Sequence, residues 1–276
     1  MTVFGLTEPV MRFGAFAGIL VLMLLLERAF PRRSLTQKRG QRWLTNLAMV
    51  GFGGLCVRLM GASAAPLVAV GAAIMAEQQR WGVLHYLDLP FWVEMVIVVV
   101  VLDALVWAQH LAFHRYPGLW RIHRMHHADR DIDVSTALRF HPLEIVISML
   151  IKVVAVIVLG ADAIAVVAFE VMLNACAMFN HANLRLPIAL DRILRRLIVT
   201  PDMHRVHHSI HADEHHANFG FNLSIWDRLA GTYCDQPRDG HTGMRIGLPM
   251  FQTTAPNSLW WCLRLPFSRD GSSDGG

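Results

Sequence analysis

Long apolar runs separated by short polar segments rich in arginine set the plan of this chain. Val10 to Leu26 is apolar almost throughout and ends at Glu27-Arg28, which predicts a membrane-crossing helix, since a crossing takes about 20 largely apolar residues. It lacks the basic start of a cleaved leader. Leu44 to Ala76 is longer than one crossing needs and holds Arg58 and Pro66, so the pattern predicts a single bent or tilted helix. Phe91 to Trp107 makes a third span. Ile145 to Asn180 is long enough for two, with Gly160-Ala161-Asp162 as the turn of a helical hairpin. The expected fold is therefore all-α: a polytopic membrane helix bundle with about five transmembrane crossings. Arg185 to Pro201 places Ile188, Leu190, Ile193, Leu194, Leu197 and Ile198 on one side and Arg192, Arg195 and Arg196 on the other, the pattern of an interfacial helix. Three parts follow: residues 1–90 with the first helices, 91–235 with the chemistry and the hairpin 145–180, and a C-terminal cytoplasmic tail 236–276. The end of that tail, Ser268 to Gly276, reads as disordered.

Composition agrees with a membrane protein: 54% hydrophobic residues and 17% charged in 276, with mean hydropathy +0.39. The net charge of +4 comes with 23 Arg against 2 Lys, set beside apolar runs and not along a stripe that could follow a phosphate backbone, so no nucleic-acid partner is expected. Arg32, Arg33, Lys38, Arg39 and Arg42 fill one short loop. By the positive-inside rule that loop is cytoplasmic, the amino terminus lies outside, and alternation brings every histidine cluster to the cytoplasmic side. Cys56, Cys176, Cys234 and Cys262 are far apart and suggest neither disulfides nor a thiolate metal site.

Thirteen of the 15 histidines lie between residues 110 and 216. In HLAFH, His110 and His114 are four apart and share a helix face. HRMHH confines His123, His126 and His127 to roughly a 100° arc of a helix, and HRVHH repeats the spacing with His204, His207 and His208. His181 stands at the inner end of the fifth span. Nine imidazoles exceed the four that a structural tetrahedral zinc uses, so two metals fit the count. Imidazole suits zinc, copper, iron and nickel alike. His141, in RFHPLE, is either a further ligand or the cap of the fourth span. His85 and His241 are isolated, and His211, His215 and His216 follow the third box in a polar loop where solvated or supporting roles are expected. Asp103 is a carboxylate within a span, seven residues before His110; it is either functional or a packing partner for a group such as Asn46.

LDALVWAQHLAFH, PGLWRIHRMHHAD, STALRFHPLE, FNHAN, TPDMHRVHHS and NFGFNLSIWDRLAGT, running from about Asn46 to Thr232, resemble the fatty acid hydroxylase superfamily, which includes sterol desaturases, sterol C4-methyl oxidases and lipid hydroxylases. The resemblance implies O2-dependent oxidation of an unactivated lipid C–H bond by a di-iron site. It implies as ligands His110, His114, His123, His126, His127, His181, His204, His207 and His208, with two iron ions as cofactor and zinc as a possible substitute. Asn218, at the head of the last motif, joins Asp103 and His141 among the catalytic candidates. Three residues separate the histidines of the first box, as in sterol-oxidising and many bacterial members. Ala177 stands where some hydroxylases carry a histidine, so the site has one ligand fewer or recruits His141. Ala230 replaces an aromatic residue common before the final Gly-Thr.

The expected protein is thus a membrane-bound oxygenase that hydroxylates or desaturates a lipid at a cytoplasm-facing histidine site. Within these residues no G-x-G-x-x-G follows a strand and no cysteines have iron–sulfur spacing, so electrons are expected from a ferredoxin-like or cytochrome b5-like partner, steered by Arg115, Arg121, Arg124 and Arg205. The rivals are a histidine-rich metal carrier, which predicts ligands spread through the bilayer depth; a bis-histidine haem protein, which needs two axial ligands; and a zinc hydrolase, for which H-E-x-x-H is lacking.

Overall fold

A computed structural model describes residues 2–3 and 6–268. The expected disordered tail, apart from Ser268, lies outside the described residues. Two short strands, β1 (Thr2–Val3) and β2 (Leu6–Thr7), pair antiparallel, and the rest of the described chain is helix and connecting loop.

Five helices are long and apolar enough to cross a membrane: α1 (Glu8–Ala29), α2 (Arg39–Ser63), α4 (Phe91–Arg115), α6 (Pro142–Leu159) and α7 (Ala163–His181). Between α2 and α4 lies α3 (Ala69–Gln79). The expected single bent helix over Leu44 to Ala76 is therefore two helices. The chain turns extended at Ala64, passes a short 3-10 segment carrying Pro66, and restarts at Ala69, because proline denies its N–H to a continuing helix. The reversal is tight enough that a Cβ at Gly71 would sit 1.9 Å from the carbonyl oxygen of Ala65, so only glycine fits there. Ala69, Ala72 and Ala73 of α3 then pack with Val98, Leu102, Val153, Val156, Ala165 and Phe169 in one apolar core.

The α6–α7 hairpin turns where the sequence places it. Gly160 adopts the left-handed conformation at φ +69°, which glycine alone adopts without strain, and Asp162 caps α7 by accepting from the amides of Ile164 at 2.7 Å and Ala165 at 3.3 Å. The other ends of these spans meet. The amide of Arg32 donates to Asn183 O at 2.9 Å, and Glu27 at the end of α1 accepts from the amides of Val134 and Asn183 at 2.7 and 2.6 Å. The carboxyl ends of α1, α4 and α7 and the amino ends of α2 and α6 thus gather at one end of the bundle.

That end carries α5 (Pro117–His127), α8 (Ile188–Leu194) and α9 (Pro201–His207). The interfacial segment is a shorter helix than the spacing predicts. Ile188, Leu190, Ile193 and Leu197 are exposed as expected, but Arg195 is buried and pairs with Asp191 and Asp235. Residues 236–268 pack against the rest: Arg139 donates to Pro256 O at 2.7 Å, Arg124 to Leu265 O at 3.1 Å, and Ile246 bridges to Ser209. The loop after α5 is fixed by Arg42, fully buried, which reaches Asp129 at 2.7 Å, Asp133 at 2.5 Å and Thr136 at 2.9 Å. A buried guanidinium with this many acceptors is costly to disrupt.

Candidate metal centre

The nine histidines of the boxes converge into two buried groups. His110, His114, His123, His127 and His207 form one; His126, His181, His204 and His208 form the other. Each H-x-x-H-H box is divided between them, and in opposite senses. The i, i+4 pair of α5 (His123 and His127) enters the five-histidine group with His126 crossing to the other, while the i, i+4 pair at α9 (His204 and His208) enters the four-histidine group with His207 crossing back. The two candidate ion positions therefore lie side by side, with the rings of His127 and His208 stacked at 4.7 Å between centroids.

Hydrogen bonds fix which nitrogen faces inward. Nδ1 of His110 lies 2.7 Å from Phe219 O, that of His207 2.7 Å from Ala217 O, that of His181 2.7 Å from Ala177 O and that of His126 3.1 Å from Arg139 O. Nδ1 of His123 lies 2.8 Å from the Glu144 carboxylate. Carbonyl and carboxylate oxygens only accept, so each of these Nδ1 atoms carries the proton and each Nε2 presents a lone pair. Those lone pairs face one another: Nε2 of His110 is 3.1 Å from that of His123 and 3.0 Å from that of His207, and Nε2 of His181 is 3.1 Å from those of His126 and His204. Between His110 and its neighbours His123 and His207, and between His181 and His126, no proton is available, whereas Nδ1 of His204 has no acceptor among the described residues. Opposed lone pairs at this distance repel unless a cation sits among them. Both ring nitrogens of His114 and His208 and Nε2 of His127 are likewise buried without a partner, the condition of ligands awaiting an ion.

Burial, followed by the charges their histidine neighbours would carry, holds His126, His127, His204 and His208 well below the ordinary imidazole range; burial and His110 do the same to His207. They are neutral at neutral pH, as metal ligation requires. The donor atoms of each group all lie within 4.8 Å of one another, close to the span of nitrogens held about 2.1 Å from one ion. The residues fit two metal ions.

The three catalytic candidates take other places. Asp103 accepts from Trp226 Nε1 at 2.7 Å and from the amide of Leu223 at 3.1 Å, and its partner is not Asn46, which donates to Ser135 at 2.9 Å. His141 caps α6, accepting from the amide of Leu143 at 3.1 Å, with Nε2 3.3 Å from Leu263 O; it belongs to neither histidine group. Asn218, at φ +56°, donates to Met203 O at 2.9 Å and Cys234 O at 2.8 Å and accepts from the amide of Cys234 at 2.9 Å. Asn218 holds the turn whose flanking carbonyls, Ala217 and Phe219, orient His207 and His110. With His141 committed to its cap, the second group stands at four histidines, and Ala177 lies beside it on a cavity wall.

Sequence reasoning missed two carboxylates. Glu144 was visible in RFHPLE, three residues after His141. Asp227 accepts from the amides of Phe219 and Gly220, each at 2.8 Å, and from Trp107 Nε1 at 3.1 Å, so it braces the same turn. The steering surface also changes. Arg124 and Arg205 are buried, Arg205 against Asp202, and Arg121 donates to Pro266 O at 3.1 Å; Arg115 alone of the four stands exposed. Among the remaining histidines, His215 stacks on Trp120 with rings 6° from parallel and His211 pairs with Asp239 at 2.8 Å.

An apolar cavity of about 410 Å³ opens from the five-histidine group into the centre of the bundle, with His110, His123 and Glu144 at that end. Phe113, Phe140, Leu102, Met149, Leu173 and Phe221 line its walls. Phe140 also stacks on His126 at 4.5 Å between centroids.

A family model described as fatty acid hydroxylase matches residues 95–232, half of the 276-residue chain and every one of the nine histidines. The chain is 26% identical over 265 residues to an ornithine lipid hydroxylase of Rhizobium tropici, covering 94% of this chain and 76% of that protein. It is 27% identical over 186 residues to an alkylglycerol monooxygenase of Danio rerio and 28% identical over 125 residues to its human counterpart. These matches cover 66% and 45% of this chain but only 40% and 27% of those longer proteins. No solved structure matches the chain.

Proposed function

Because the chain belongs to the fatty acid hydroxylase family, we propose that it is a membrane monooxygenase that hydroxylates a lipid C–H bond at a pair of iron ions held by the two histidine groups. The observation that carries this reading is the set of opposed Nε2 lone pairs at the end of an apolar cavity. Hydroxylation is favoured over desaturation because the relatives named above are hydroxylases and monooxygenases.

The balance is R–H + O2 + 2 e⁻ + 2 H⁺ → R–OH + H2O, with the electrons from a ferredoxin-like or cytochrome b5-like protein. Two bound iron ions would supply the means of reducing O2 and of breaking the C–H bond. The chain's own residues do the rest. The Nδ1 acceptors hold each imidazole in one tautomer and one orientation. Phe113, Phe140 and Phe221 keep water from the cavity, which protects a strong oxidant from side reactions. His110 and His123, which line the cavity and belong to the five-histidine group, would hold a metal next to the substrate chain. Arginines of the loop between α1 and α2, at the same end of the bundle, support a cytoplasmic location for the site.

The test uses the full chain in membranes with iron, O2 labelled with oxygen-18, and a one-electron donor protein. One labelled oxygen atom is expected in a lipid product, about two iron ions per chain, and no product from folded His126→Ala or His207→Ala. Full turnover in both variants, or no more than one metal under every growth condition, overturns the reading.

A further inference from the structure

The cavity that ends on His110 and His123 has a second polar end. Arg12 of α1, Lys152 of α6 and Glu170 of α7 line it there. The Glu170 carboxylate accepts from Lys152 Nζ at 2.6 Å through one oxygen and from Arg12 through the other. Glu8, at the start of α1, pairs with Arg12 at 2.6 Å from outside the cavity. Between the two ends the wall also carries Gln109 and Ser148, bonded to each other at 2.6 Å, and Asn174, which donates to Glu170 O at 2.8 Å.

Charged side chains within membrane spans are costly, and where they line a cavity they mark a site. A simple clamp joining three helices is the plainer alternative, but the count of donors argues for more. Both oxygens of Glu170 are engaged, whereas the Lys152 ammonium has three N–H donors and one hydrogen bond among the described residues. Donors left over at the end of an apolar cavity call for an acceptor that the described residues do not supply. Arg12 lies one turn inside the start of α1, at the membrane face opposite the histidines, and Lys152 is long enough to extend toward that same face. An anionic group there would remain near the lipid headgroups while its chain ran inward.

We propose that Lys152 and Arg12 hold the anionic end of the lipid, a carboxylate or a phosphate, with its apolar chain running down the cavity to the histidines. This rests on the lipid-oxidation reading. Glu144 and Lys152 are eight residues apart on α6, about 12 Å at the helical rise. An extended chain advances roughly 3.6 Å per three bonds, and Lys152 reaches beyond its own helix position toward the far face, so the oxidised carbon lies about ten bonds or more from the anchor.

Binding, read without turnover, tests the anchor separately from the chemistry. Palmitate, palmitoyl lysophosphatidate and methyl palmitate are dialysed to equilibrium against the detergent-solubilised full chain. At least one of the two anions is expected to bind about tenfold tighter than the neutral ester, the scale of a hydrogen bond to a charged group, and the tighter anion identifies the headgroup chemistry. Lys152→Met abolishes the preference and Lys152→Arg keeps it. Glu170→Gln removes the competing carboxylate and is expected to tighten anion binding several-fold, whereas a clamp predicts no gain; this arm decides if Lys152→Met does not fold. Equal affinity for all three probes, a preference that survives in folded Lys152→Met, or no gain in Glu170→Gln overturns the proposal whatever the iron content or oxidation activity shows.

Discussion

Removing the Glu144 carboxylate should loosen one metal and spare the other. Glu144 is buried and accepts from His123 Nδ1 at 2.8 Å, the only one of the Nδ1 contacts described above in which the acceptor is a charged group. Glu144→Ala leaves His123 free to rotate and makes its Nε2 a weaker donor to the metal. A hydrogen bond to a charged group contributes about 1.5–3 kcal/mol. Loss of such an outer partner typically lowers metal affinity 10–100-fold, about 1.4–2.7 kcal/mol, so the two estimates agree. Glu144→Gln, which keeps an acceptor without the charge, should fall between. The loss is confined to the five-histidine group because His126 and His181 of the other hang on the carbonyls of Arg139 and Ala177. Titrating the loaded protein with a chelator, with metal per chain followed by elemental analysis and helix content by circular dichroism, should give two steps in Glu144→Ala, the first at 10–100-fold weaker chelation than in the unaltered protein. Release of both metals together, or no shift of either, would refute the assignment of Glu144 to one centre.

Two further outcomes follow from residues away from the ions. Asn218 stands at φ +56° with three hydrogen bonds, so Asn218→Ala should lower stability by about 3–6 kcal/mol, combining a left-handed residue at roughly 1–2 with bonds at about 0.5–1.5 each. Asn218→Gly should recover only the backbone part. Thermal unfolding decides, and a glycine variant no better than the alanine one would show that the backbone angle contributes nothing. His241, which burial chiefly and then Arg205, Arg32 and Arg195 push down to about 4 against the pull of Asp202, makes the fold sensitive to acid. Below about pH 6.5 the unfolded chain takes up its proton and the folded chain does not, so stability falls between pH 6.5 and 4 by up to about 3 kcal/mol. His241→Asn should flatten the dependence by that amount, and denaturant unfolding curves of the metal-free protein that remain parallel would contradict it.

Crossing a bilayer demands long apolar helices, so the five spans could be read from the pattern alone, and Gly160-Ala161-Asp162 named its own turn. The break between α2 and α3 could not be placed, because an apolar run holds no punctuation but Pro66, and the closeness that requires glycine at Gly71 is a contact to Ala65 made only after folding. The nine histidines that converge were legible as a set for a different reason. Spacings of three and four bring histidines to one arc of a helix, and this holds whatever the helix packs against. Which group each histidine joins was not legible, since that depends on how α5 and α9 face each other. The outer partners were hidden further: Phe219, Ala217, Ala177 and Arg139 act through carbonyl oxygens, which every residue has, and Asn218, named as a catalytic candidate, gave no sign of its left-handed turn beyond asparagine's tolerance of that region. The opposite division of the two boxes carries a mechanical consequence. Because α5 and α9 each give histidines to both groups, a rotation of either helix displaces donors in both groups in the same motion, and the arrangement is kept only while both helices hold their register. Asp227 and Asn218 behind His110 and His207, and Glu144 and Arg139 behind His123 and His126, are the residues that hold it.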